Sequence, residues 1–169
     1  MHVGGPCKPV VKAGDKVKRG QLIAEPSGLG ANIHASFTGE ISAVTDGEIV
    51  IKPDDVQNFD EYVKIPDTKT NLEAIAAAGV VGAGGAGFPT AVKLKTEIPN
   101  GAFIANAAEC EPLLAHNIHQ IEEHAAELVR GVKYAMEITK APKGYIAIKP
   151  KHKKAVIELI KAVRNEDNI

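Results

Sequence analysis

Ala102-Phe103-Ile104-Ala105-Asn106, running on into Ala107-Ala108-Glu109-Cys110-Glu111-Pro112, is the stretch on which the fold turns. An unbroken apolar run closed by a polar residue reads as a short buried strand. Glu111 and Pro112 suit the start of a helix. A long one follows, with Ile118, Ile121, Ala125, Leu128, Val129 and Val132 recurring at a spacing of about 3.6 residues. Gly144-Tyr145-Ile146-Ala147-Ile148 is a second strand, and Val156, Leu159, Ile160 and Val163 place an apolar face on a final helix. Strand, helix, strand, helix is a βαβα unit, which makes the strands parallel and the region α/β. Two parallel strands leave both outer edges open. The chain stops at Asn165-Glu166-Asp167-Asn168-Ile169, where a further strand is expected, so it reads as the N-terminal part of a longer protein.

Upstream, Thr70-x-x-Glu73 is a capping box, Leu72, Ile75 and Ala76 form an apolar stripe, and Gly79 fits a helix stop. Before it the pattern is all-β. Val10-Val11, Leu22-Ile23-Ala24, Ile41-Ser42-Ala43-Val44 and Ile49-Val50-Ile51 are strand-like runs, and Asp46-Gly47 is a hairpin signal. The expected architecture is therefore α+β in two domains. An all-β domain covers residues 1–66, and a truncated α/β, Rossmann-like parallel-sheet domain covers 67–169.

Composition narrows the function. Twenty Lys and Arg against 21 Asp and Glu leave a net charge of −1, which gives no reason to expect nucleic acid or an anionic membrane as partner. No apolar run approaches the roughly 20 residues of a membrane helix, and no signal peptide opens the chain, so a cytoplasmic protein is the default. Two cysteines, Cys7 and Cys110, make no disulfide framework and cannot by themselves hold an iron–sulfur cluster.

Gly82-Ala83-Gly84-Gly85-Ala86-Gly87 satisfies G-x-G-x-x-G, but a capped helix precedes it where a dinucleotide fingerprint needs a strand. Two readings stay open. The glycines let backbone N–H groups converge on an anion that Lys93 or Lys95 neutralises, or they form a structural turn. Asn106, Glu109 and Glu111 lie at the C-terminal end of the first strand, where α/β sheets gather ligands. Capping of the following helix is the plainer role. Cys110 sits between two carboxylates, which disfavour a thiolate. His116, His119 and Glu123 share one helix face and read as solvated rather than metal-binding.

Taken together, Gly82-x-Gly84-Gly85-Ala86-Gly87-Phe88-Pro89-Thr90, Lys93 and Asn106-x-x-Glu109-Cys110-Glu111-Pro112 resemble the flavin- and NADH-binding module of the flavin-carrying subunit of respiratory complex I. The match is closer to the RnfC family and its soluble PrdC-type relatives. His2-Val3-Gly4, Pro9-Val10-Val11, Gly14-Asp15-Lys16-Val17, Gly20-Gln21 and His34-Ala35-Ser36 resemble the opening of RnfC proteins, so the resemblance covers essentially the whole chain. The same opening is similar to biotinyl and lipoyl domains, which implies a barrel-sandwich hybrid for residues 1–66. Pro26-Ser27-Gly28-Leu29-Gly30-Ala31-Asn32, in the place of the carrier hairpin, has no lysine, so a swinging-arm role is set aside.

The resemblance implies FMN as cofactor and NADH as substrate. Gly82, Gly84, Gly85, Gly87 and Lys93 fall on the flavin loop, Phe88 on a nucleotide-stacking position, Asn106 and Glu109 on flavin contacts, and Glu111 on the nucleotide side. Ala108 departs from the complex I pattern, which has Asp there. The implied role is electron transfer from NADH through flavin to [4Fe–4S] clusters in a C-terminal part beyond this chain. Partners are then other subunits of an electron-transfer complex or a reductase acceptor, in the cytoplasm or on the inner face of the cell membrane. The fragment alone is expected to be inactive. A non-catalytic docking module with a vestigial flavin site is the alternative.

Overall fold

The computed structural model describes residues 2–83, 85–110 and 114–169. Backbone contacts divide them into two compact units, residues 1–93 and 94–169.

The first unit begins with two small antiparallel sheets. Strands β1 (Cys7–Pro9), β3 (Leu22–Pro26) and β4 (Ile33–His34) form one, in the order β1-β3-β4. Strands β2 (Lys16–Val17), β5 (Gly39–Val44) and β6 (Ile49–Pro53) form the other, in the order β2-β5-β6. Val17, Ile23, Ala35 and Ile41 are buried between them, with Val11, Val44, Ile49 and Ile51 packed around. The Asp46-Gly47 hairpin forms, closed by Thr45 N–H donating to Glu48 O at 2.9 Å, though without the positive φ at both residues of a type I′ turn. The first strand sits earlier than the Val10-Val11 run, since Pro9 already pairs with Ala24 and Val10 N–H extends the ladder to Ile23 O at 3.0 Å. Beyond β6 the chain has no regular structure but is strapped back by Gln57. Its amide accepts from Thr38 N–H at 3.1 Å and donates to Thr38 O at 2.8 Å.

Helix α1 (Asn71–Ala77) starts at Thr70, whose side chain accepts from Glu73 N–H at 3.2 Å. It ends in a Schellman motif: Gly79 N–H donates to Ala76 O at 3.1 Å and Val80 N–H to Ile75 O at 3.2 Å. Gly79 has φ +67, and a Cβ there would lie 2.1 Å from Asn32 O. Glycine is required on both counts. Asn32 Nδ2 also donates to Ala77 O at 3.2 Å, so the end of α1 is moored to the β4 approach. Leu72 and Ile75 are half-buried while Ala76 is exposed.

The second unit is the βαβα unit. Strands β7 (Ala102–Asn106) and β8 (Lys143–Ala147) are parallel, with Ile104 opposite Tyr145, and α3 (His116–Thr139) connects them. Ile118, Ile121, Ala125, Val129 and Val132 of α3 are buried, as their spacing requires. The helix carries a kink at His124, where φ is −131 and ψ 33. Helix α4 (Lys153–Val163) turns inward a face shifted from the one its large residues suggest: Leu159 is buried and Val156 and Val163 half-buried, as expected, but Ala155 takes the place of Ile160. Ala155 and Leu159 are buried against Ile118, Ile121 and Ala125, whereas Ile160 is 62% exposed. Close approach of the two helices selects the small Ala155 for the contact. The chain end returns to the free edge of β8, with Gly144 N–H donating to Asn168 O at 2.7 Å.

Candidate functional site

In the first unit, the glycine loop is a closed lariat rather than an open turn. Val81 and Pro89 form an antiparallel bridge, Gly82 N–H donates to Phe88 O at 2.9 Å, and Thr90 N–H donates to Val80 O at 2.9 Å. The preceding element is the capped helix α1, so the dinucleotide fingerprint's strand-loop-helix order is not followed. Gly87 closes the loop with φ +64 and accepts from Val3 N–H at 3.3 Å. Gly85 faces open space, since a Cβ there would meet nothing within 4 Å. Gly84 lies outside the described residues.

A one-turn helix, α2 (Thr90–Lys93), leaves the loop and returns Lys93 above it. A Cβ on Gly82 would sit 3.6 Å from the Lys93 ammonium and 3.8 Å from Phe88 N. Among the described residues, no carboxylate pairs with Lys93. An exposed cation thus stands beside backbone at a glycine, where an approaching anion meets no side chain. Gly82 N–H is already committed to Phe88 O, so the donor on offer is the Lys93 ammonium, which fits a phosphate or another polar, electron-rich ring substituent. Phe88 is half-buried beside Pro89, which is almost fully buried.

In the second unit, Asn106 and Glu109 lie where β7 ends. Asn106 Oδ1 accepts from Ala108 N–H at 3.0 Å, an Asx turn that swings the chain off the sheet. The Glu109 carboxylate accepts from Cys110 N–H at 3.0 Å and from Asn117 Nδ2, in the first turn of α3, at 2.9 Å. Lys149, just past β8, donates its ammonium to Glu109 O at 2.5 Å. Sequence reading missed Lys149, because 40 residues separate it from its partner and only the parallel pairing of β7 with β8 brings them together. Cys110 is exposed, with its thiol 3.3 Å from Ala108 O. Glu111 lies outside the described residues.

His119 and His124 of α3 lie beside carboxylates of their own helix. His119 lies 3.5 Å from Glu122, which also takes the Lys154 ammonium at 3.0 Å. The hydrogen bond from Lys154 holds the Glu122 carboxyl below its usual range. Glu123 lies 3.9 Å from His124 instead of facing His116 and His119. Among the described residues, no three His, Cys, Asp or Glu side chains converge as a metal site would require.

These two units define a class, a β domain of two small antiparallel sheets carried on the same chain as a parallel βαβα unit, and comparison with known proteins supplies its family. The profile of the Nuo51 FMN-binding domain matches residues 75–169, and that of the RnfC barrel sandwich hybrid domain matches residues 1–60. The chain belongs to the RnfC-type family of proteins with a Nuo51 FMN-binding domain. The C subunit of the Na(+)-translocating ferredoxin:NAD(+) oxidoreductase complex of Acetobacterium woodii is 35% identical, over 100% of this chain and 42% of its own length. Its counterpart in the proton-translocating ferredoxin:NAD(+) oxidoreductase complex of Clostridium ljungdahlii is 36% identical, over 96% of this chain and 39% of its own. Cobalamin reductase PduS of Salmonella typhimurium is 52% identical over 50% of this chain and 18% of its own length. The chain thus spans about two fifths of the length of the two ferredoxin:NAD(+) oxidoreductase relatives. No helix among the described residues is long and apolar enough to cross a membrane.

Proposed function

We propose that this chain is the FMN-binding entry module of an electron-transfer protein, taking electrons from NADH and passing them to iron–sulfur clusters held elsewhere in the protein. The observation that supports it most is the Lys93 ammonium standing 3.6 Å from the space a Gly82 side chain would fill. Bound FMN supplies the conversion between a two-electron hydride donor and one-electron acceptors. The chain's own residues bind and orient. Backbone at Gly82 and Gly85 admits the flavin nucleotide closely, Gly84 and Gly87 are assigned to the same loop, and Lys93 supplies the counter-charge. Asn106 and Glu109, both pinned by local hydrogen bonds, offer polar edges of fixed direction. Phe88 and Glu111 serve the nicotinamide nucleotide. None of this asks for a general acid, base or nucleophile, which suits a region poor in such constellations.

In this reading the sandwich spans residues 1–66, and residues 67–169 begin a Rossmann-like nucleotide domain. The two ferredoxin:NAD(+) oxidoreductase relatives are components of multi-subunit complexes by name. Other subunits, at the inner face of a membrane, are accordingly the proposed partners. Titration with FMN and with riboflavin tests the reading. Lys93→Met should weaken FMN binding about 10-fold, roughly 1.4 kcal/mol, and leave riboflavin, which has no phosphate, unchanged. Equal loss for both ligands refutes the assigned role of Lys93. Ala108, where RnfC-like sequences also have a small residue, removes one polar flavin contact of the complex I pattern and so bears on the strength of FMN binding; the second reading is a docking module with a vestigial flavin site. Failure of the full-length protein to bind either ligand would support it.

A further inference from the structure

The opening residues of the chain build an arrangement that flavin binding does not use. The imidazole of His2 lies with Nδ1 3.1 Å from Val3 O and Nε2 3.2 Å from Cys7 Sγ. A carbonyl only accepts, so Nδ1 carries the proton and donates it. Nε2 is then the bare nitrogen, 3.2 Å from a thiol that also lies within donating distance of Ala31 O at 3.3 Å, so the one thiol proton has two acceptors beside it. Ala31 N–H approaches the same nitrogen at 3.4 Å, which agrees with its being an acceptor. The ring is held from behind as well, since a Cβ on Gly30 would come within 2.9 Å of His2 Cε1. A thiol, a base and a group orienting the base are the three parts of an activated nucleophile. This one lines a mostly apolar cavity of about 400 Å³, to which His2, Cys7, Ile23, Ile33, Asp46 and Glu48 contribute. Cys7 is half-buried and not in a disulfide.

We propose that Cys7 is a thiolation site, exchanging with low-molecular-weight disulfides of neutral or positive charge. Cys7 Sγ attacks one sulfur of the disulfide, and the old S–S bond breaks as the new one forms. The thiol proton passes to His2 Nε2 and from there to the departing thiolate. One thiol and one disulfide enter and one of each leaves, so no outside oxidant is needed. Asp46 and Glu48, on the hairpin between β5 and β6, put negative charge at the cavity and select against anionic disulfides. The attached group has the cavity to occupy. Val3 joins the pair to the glycine loop, because its carbonyl orients His2 while its N–H donates to Gly87 O.

Cystamine is the probe, with mixed disulfide at Cys7 and at Cys110 followed separately by peptide mass spectrometry. Cys7 in the native chain should react about 10-fold faster, or more, than Cys7 in the same chain unfolded in urea. That is a modest share of the roughly 10²–10⁴ a positioned base supplies. His2→Gln keeps a side chain beside the thiol but takes no proton, and should bring the native rate down to the unfolded one. Should this variant not fold, the native-to-unfolded ratio of the unaltered chain decides alone. A native rate at or below that in urea overturns the proposal, as does a folded His2→Gln variant that reacts as fast as the original. Glutathione disulfide, which is anionic, should lose ground to cystamine on going from the unfolded to the native chain. An unchanged ratio overturns the charge preference.

Discussion

Replacing Gly79 with alanine should unmake the first unit's link between helix and glycine loop. The left-handed backbone there costs an L-residue roughly 1–2 kcal/mol. The new Cβ would also lie 2.1 Å from Asn32 O, backbone that cannot swing aside as a long side chain does. Relief means moving the end of α1 away from Asn32, which breaks the Asn32 Nδ2 bond to Ala77 O. That bond is worth about 1 kcal/mol. The sum is about 2–3 kcal/mol. For a unit of this size, a kilocalorie shifts the melting temperature by about 4–8 °C, so calorimetry should show its transition fall by about 10–20 °C. Gly85→Ala is the control, because nothing lies within 4 Å of its Cβ position. It should melt as the original does. A Gly79→Ala chain that melts within about 3 °C of the original, where the arithmetic demands several times that, would show that the Schellman turn does not govern this unit.

Three further outcomes follow from single contacts. Phe88→Ala should weaken NADH binding about 5-fold or more, the stacking value of about 1 kcal/mol, while flavin occupancy measured separately stays the same; equal loss of both ligands means Phe88 only supports the loop. Glu122 is held below its usual pKa by Lys154, so its contribution to stability is present above the unfolded value and lost as pH falls through the folded one. Lys154→Met should flatten that acid limb of the melting profile, and an unchanged limb counts against the α3–α4 ion pair. Burial lowers the His34 pKa below 6.5, so the unfolded chain binds more protons just under that value and stability falls as pH drops through the window. His34→Gln should remove that slope in urea melts between about pH 7 and 5.

How much was legible in the sequence depended on whether the signal was local. The Thr70 cap, the stop at Gly79 and the Asp46-Gly47 hairpin are contained within a few residues each, and all form, although the Glu73 carboxylate of the capping box takes Lys69 N–H at 2.9 Å instead of Thr70 N–H. The α3 stripe is legible because its large residues repeat over several turns. Strands β2 and β4, of two residues each, are too short to show any alternation. The inward face of α4 misleads because Ala155 carries little apolar weight in a pattern, yet it is fully buried. Nothing local marks the kink at His124, which has neither proline nor glycine beside it. Of the candidate site, the lariat around the glycines has cues in Gly87 and Pro89, but its closure by Val80 and Gly82 is a pairing, and pairings are not written in composition. Lys149 belongs to the same category.

The parallel pairing of β7 with β8 has a consequence for how the chain acquires its structure. Ala102 meets Lys143 only after α3 has formed and doubled back, so this ladder closes a loop of some forty residues in one step. The β5–β6 hairpin needs only a two-residue turn. Hairpins of that kind form in about 1–10 μs, whereas pairings between distant segments come late and slowly. On a ribosome the sandwich can therefore finish before residue 143 has been made. The second unit waits with Phe103 and Ala105 uncovered, and that interval is when this chain is most open to aggregation.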